Sequence, residues 1–172
     1  MIRLIPLTRL LVLLVLGLSL AGCGFKLRGS AQLPFSTLNI GLPESSALRA
    51  EMARTITSSS QTRIVDDPRE AQAVLLVLAD TQAKNILSLS SAGRVREYEL
   101  VRNFIFQVND ANGQPLIPRA QIVMRRDISF NDDQVLSKEA EEALLWRDMQ
   151  TDLMQQLLRR LAAAKPHPAP PN

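Results

Sequence analysis

Side chains that carry most enzyme chemistry are scarce in this sequence. Its 172 residues hold one cysteine, Cys23, and one histidine, His167, which sits between two prolines near the C-terminus. One cysteine excludes an internal disulfide, so burial alone must hold the fold. The same scarcity removes the usual nucleophile dyads, thiolate or imidazole metal sites and the commonest general base. No glycine-rich loop of the kind that cradles phosphate occurs either. Carboxylates such as Asp132, Asp133 and Glu139 remain, but acids beside a helix start usually serve its dipole or solvate a loop. The inventory points away from an enzyme, with no metal and no cofactor expected.

An excess of charge is also nearly missing. The formal charge is +3 and the sequence pI about 9.5. Residues 1–22 contain Arg3 and Arg9 and no acid, so the chain without them carries +1. Such a balance provides no global field for nucleic acid, and any anion site must be a local cluster.

What is present begins with the N-terminus. Arg3 and Arg9 precede an almost unbroken apolar run of 12 residues from Leu10 to Ala21. A helix needs about 20 apolar residues to span a bilayer, so the run reads as the core of a secretory signal. Small residues Ala21 and Gly22 suit a peptidase groove, and the residue after the cut is the lone cysteine. Leu20-Ala21-Gly22-Cys23 reads as a bacterial lipobox: residues 1–22 are removed and Cys23 is lipidated. The alternative is an ordinary signal that leaves a free thiol. Several acyl chains, at about 0.8 kcal/mol per buried methylene, would anchor the protein permanently.

Residues 23–36 read as a tether. Its Phe25, Lys26, Leu27 and Arg28 suit a membrane interface or a partner, and an unstructured leash fits the composition as well. A single domain is expected over 37–164, followed by a disordered proline-rich tail over 165–172. Thr37–Gly41 alternates like a short strand, and Ser45-Ser46 can cap a helix carrying Leu48, Met52 and Ile56 on one stripe. Val74–Ala79 is a short branched apolar run, suited to a central strand. From Tyr98 to Val108, alternation puts Tyr98, Leu100, Phe104, Phe106 and Val108 on one face, with Arg102 an exception. Asn112-Gly113 marks a hairpin, since both residue types tolerate positive φ. The return strand carries Ile122, Met124, Ile128 and Phe130, with Arg126 intruding, while Pro115 and Pro118 delay its pairing or put it at an edge. A long helix is expected from Ser137 to about Ala164, with Trp146, Met149, Leu153 and Leu157 along its buried side and Arg160 snorkelling nearby. The sum is an α+β two-layer sandwich, two helices on one face of a four-stranded mixed, mostly antiparallel sheet.

Two basic sets stand out. Arg94 and Arg96 follow the turn-like Ser90-Ser91-Ala92-Gly93, and Arg125, Arg126 and Lys138 surround the last strand and the start of the last helix. Such groups at loop ends can hold phosphate, or they can simply face water.

Three motifs then converge on a family. Cys23-Gly24-Phe25-x-Leu27-Arg28, Glu97-Tyr98-x-Leu100 and Asp148-x-x-x-Asp152-x-x-x-Gln156-Leu157-x-Arg159-x-Leu161 resemble the LPS-assembly lipoprotein (LptE) family over nearly all the mature chain. The resemblance implies an outer-membrane lipoprotein that plugs an LptD-type β-barrel, helps it assemble and contacts lipopolysaccharide. Gly24 stands where aspartate would signal inner-membrane retention, so outer-membrane localisation through the Cys23 anchor is implied. It also implies a basic lipopolysaccharide contact at the turn before the long strand and at the start of the last helix. Lys138 matches the second place; at the first, Arg94 or Arg96 would have to stand in for Ser91. Nucleic acid is not an expected partner. A free-standing lipoprotein scaffold in envelope protein assembly is the rival reading, and a lipid-anchored hydrolase a distant third.

Overall fold

The computed structural model describes residues 32–165. The signal, Cys23, most of the tether, His167 and the proline-rich tail therefore lie outside the described residues.

Strand β1 (Thr37–Gly41) leads into helix α1 (Ala47–Ser59). The helix starts as its serines predict: Ser46 Oγ accepts from the Arg49 N–H at 3.3 Å. Met52 and Ile56 of the three-residue stripe are buried, and Leu48 packs against the core partly buried. Strand β2 (Arg63–Val65), a one-turn helix at Pro68–Glu70 and strand β3 (Ala73–Leu89) follow. The chain closes with β4 (Val95–Asp110), β5 (Pro115–Ser129), a turn at Asp132–Gln134 and helix α2 (Val135–Ala162).

These strands make one mixed sheet in the order β2-β1-β3-β4-β5. β1 is parallel to β2 and β3, while β3, β4 and β5 form an antiparallel meander. The sheet thus has five strands, not four. The extra strand, β2, pairs through three residues only, with Thr37 opposite Arg63 and Asn39 opposite Val65. Three residues are too few to show a period. Asn39 Nδ2 fastens its end by donating to the carbonyls of Val65 at 3.0 Å and Asp66 at 2.9 Å.

β3 is also far longer than the apolar run at its start. Its bulge at Leu78 shifts the alternation by one. Ala73, Leu75 and Val77 face the helices, and beyond the bulge Asp80 takes the core-side position opposite Phe104. Pro115 does not delay pairing, because it already sits opposite Asn109; bulges in the Phe106–Asn109 region absorb the mismatch. The hairpin closes on Gly113 at φ +80°, while Asn112 keeps a negative φ. Asp110 Oδ1 instead fixes the loop, accepting from the N–H groups of Asn112 and Gln114, both at 2.8 Å.

One core lies between the sheet and both helices. Leu38, Ile40, Leu75, Leu100, Phe104, Phe106, Val108 and Ile122 meet Met52, Ile56, Met149, Leu153, Leu157 and Leu161 there. Leu33 and Phe35 pack onto it as well, so packing begins before Thr37. α2 starts two residues earlier than Ser137, whose Oγ donates to the Gln134 carbonyl at 2.9 Å. Trp146 is only half-buried, because its Nε1 reaches the Glu142 carboxylate at 3.3 Å near the helix surface. Arg160 lays its guanidinium 5.9 Å from the Phe106 ring centroid, as an apolar stem with a polar head would.

Candidate functional site

Because β4 and β5 are antiparallel, the β3–β4 turn, the end of β5 and the start of α2 come together at one end of the sheet. The Phe130 N–H donates to the Arg96 carbonyl at 2.7 Å, extending the ladder to that end. The turn is closed by Gly93, whose φ of +75° a side chain would resist, and by the Ser90 N–H donating to the Arg94 carbonyl at 2.7 Å. Tyr98 and Phe130 meet edge to face at 5.5 Å, and Lys84 Nζ stands 4.3 Å from the Tyr98 ring centroid.

The candidate cations differ in how freely they stand. Arg94 is 72 % exposed and only loosely tied, its Nη1 lying 3.4 Å from Asp132 Oδ2. Arg96 is exposed and forms no salt bridge among the described residues. Lys138 is held closer, with Nζ 3.0 Å from Ser129 Oγ and 2.8 Å from Glu141 Oε2, and its side chain is 16 % exposed. Two forked guanidiniums are thus open to an incoming phosphate, and one ammonium must exchange partners to reach it.

Arg125 and Arg126 do not join that group. They fall on opposite faces of β5: Arg125 Nε lies 3.4 Å from Glu99 Oε1, while Arg126 pairs with Asp152 of α2. The second basic set read from the sequence is divided between the two sheet faces.

A polar chain, signalled in the sequence only by Arg102 as an exception, runs along the margin of the core. Arg102 is 3 % exposed. Its Nε and Nη2 grip both oxygens of Asp80 at 2.9 and 2.8 Å, and its Nη1 donates to Gln150. Gln150 Nε2 then reaches Glu51 Oε2 of α1 at 2.7 Å. Two strands and both helices are joined by these four side chains. The only signal was Arg102 on an otherwise apolar face, and the bulge that aims Asp80 at it left no pattern.

Fold and charges define a two-layer α+β domain, with helices on one sheet face and basic groups at one end. A family model described as Lipopolysaccharide-assembly, LptE, matches residues 35–161. The LPS-assembly lipoprotein LptE of Pectobacterium atrosepticum is 32 % identical over 157 residues, covering 86 % of this chain and 83 % of that protein. That of Yersinia enterocolitica is 33 % identical over 158 residues, covering 88 % and 75 %. Among solved structures, lipoprotein B of Nitrosomonas europaea superposes with a TM-score of 0.72 at 36 % identity, covering 81 % of this chain and 91 % of that one. Rare lipoprotein B of Shewanella oneidensis gives 0.62 at 26 % identity, covering 74 % and 94 %. The chain belongs to the LptE family of lipopolysaccharide-assembly lipoproteins.

Proposed function

We propose that this chain is an outer-membrane lipoprotein, anchored through lipid on Cys23, that plugs and helps assemble an LptD-type β-barrel and contacts lipopolysaccharide on its way to the outer leaflet. It acts by binding, without catalysis or cofactor. The observation that carries the reading is the meeting of the β3–β4 turn with the turn that leads into α2, where Arg94 approaches Asp132. The family resemblance assigns its basic contact to those two places. Lipid A offers phosphates above acyl chains, and the exposed Arg94 and Arg96, with Lys138 beside them, match that anionic layer. A plug in a water-filled lumen needs a polar exterior, and Arg147, Asp148, Thr151 and Arg159 line the exposed face of α2.

Affinity purification from membranes should bring down a large β-barrel, and depletion of the chain should lower both assembled barrel and surface lipopolysaccharide. Unaltered levels of both would favour the free-standing scaffold. Lipopolysaccharide binding should weaken as salt rises, since exposed charges are screened within about 10 Å at 0.1 M. Replacing Arg94, Arg96 and Lys138 together with glutamate should reduce that binding while leaving the barrel complex intact. Unchanged affinity and salt dependence would refute the assigned contact.

A further inference from the structure

β3 is much longer than the strand beside it. β1 covers only Ala73–Leu76, opposite Leu38–Gly41, and then turns away at Leu42 and Pro43. From Val77 to Leu89 the flank facing away from β4 has no neighbouring strand among the described residues, over about 40 Å at the usual rise. Leu78, every residue from Asp80 to Leu87, and Leu89 are exposed.

A free flank of this kind is a template for pairing, and proteins normally guard it. The β5 edge of the same sheet is guarded, with Pro115, Pro118, Arg119, Arg125 and Asp127 along it. β3 holds no proline, and its two charges are engaged elsewhere: Asp80 with Arg102, and Lys84 with Glu142 at 2.6 Å. Instead it shows Leu78, Ile86, Leu87 and Leu89, at 48, 60, 51 and 55 % exposure. The ladder is regular from Ala79 to Ile86, between the bulges at Leu78 and after Ile86.

We propose that the free flank of β3, from Val77 to Leu89, is a strand-addition site for an extended segment of another polypeptide. A row of alternating N–H and C=O groups is matched by another main chain and by no acyl chain or sugar phosphate. The incoming strand would occupy the lane that β1 vacates, with apolar side chains over Ile86, Leu87 and Leu89. A second copy is disfavoured by the anchor. The described residues begin at the Ala73 end of β3, so antiparallel self-pairing would put the two Gln32 ends, which lead from the anchors, at opposite ends of the dimer. This inference rests on the proposed anchor and barrel partner, and that partner is the polypeptide expected to supply the strand.

Hydrogen exchange of the lipidated protein, alone and in the complex purified from membranes, tests it. Amides within Val77–Leu89 should exchange at least about tenfold more slowly in the complex, and those on the outer flank of β5 should not. Gln82→Pro and Ala83→Pro are the paired variants. N–H groups alternate between flanks, so one proline falls on the free flank and spares the β4 ladder. That variant, identified by its retained circular dichroism, should lose the protection and most of the barrel. A co-purified barrel with unprotected β3 amides overturns this inference and leaves the plug reading standing. Absence of any barrel overturns both. Equal protection by lipopolysaccharide alone, or in a particle holding two copies and no barrel, also overturns it.

Discussion

Arg102→Met tests whether the buried polar chain holds the two helices on the sheet. The guanidinium is 4 % exposed, and the Asp80 carboxylate it grips is 24 % exposed. Methionine fills much of the stem's volume, so the cavity cost is small and the loss falls mainly on the partners. Asp80 loses both of its hydrogen bonds to Arg102, and the Gln150 carbonyl loses a donor. Removing one member of a buried pair costs about 3–5 kcal/mol, and the water that reaches Asp80 puts this case near 3. For a domain of this size that lowers Tm by roughly 6–12 °C. The single variant should therefore unfold early in urea at an unchanged m-value. Adding Asp80→Leu removes the stranded carboxylate and should return more than about half of the loss, giving a coupling of at least about 1.5 kcal/mol. A loss under about 1 kcal/mol, or a double variant as weak as the sum of the singles, would refute the reasoning.

Leu153 is fully buried between α2 and the sheet, so Leu153→Ala should cost about 2–5 kcal/mol in a urea titration. Arg160→Lys, at the margin of the same face, should move the midpoint by less than about 1 kcal/mol. Gly93→Val forces a branched side chain to φ +75°, and a drop of about 1–2 kcal/mol is expected from the same titration. Cys23→Ala should yield a protein that takes up no labelled fatty acid; normal labelling would remove the anchor from the proposed function.

Elements whose alternation or stripe runs unbroken are legible in the sequence. β1, α1, β4 and α2 all show their core residues in the sequence, and the antiparallel meander follows from the Asn112-Gly113 turn. What stayed hidden was local or one step out of phase. β2 owes its place to the Asn39 side chain and a parallel neighbour rather than to three residues of its own. β3 beyond Leu78 has no buried face to write a pattern. Its polar residues Thr81, Gln82, Lys84 and Asn85 show no apolar alternation, and only pairing with β4 makes them a strand.

The basic residues show the same limit from the side of function. Arg94, Arg96, Arg125, Arg126 and Lys138 are alike in sequence, yet folding sorts them by the acids it brings near. Arg126 meets Asp152 26 positions away and Arg125 meets Glu99, whereas Arg96 meets no acid among the described residues. Arg102, the member of its strand that broke the pattern, is the one fully absorbed into the interior. An arginine on an apolar face therefore predicts an acid partner whose position the chain does not disclose. An arginine beside a turn predicts a free cation only if the neighbouring strand ends bring no carboxylate. Here the end of β5 brings Asp132 to Arg94 at 3.4 Å and leaves Arg96 open, so Arg96 should dominate phosphate contact. Exposed pairs of that kind contribute about 0–1 kcal/mol, which a phosphate can displace. Arg96→Glu alone should thus weaken lipopolysaccharide binding more than Lys138→Glu does. The reverse order in a direct binding titration would mean that Lys138 leaves Glu141 and Ser129 to take the phosphate itself.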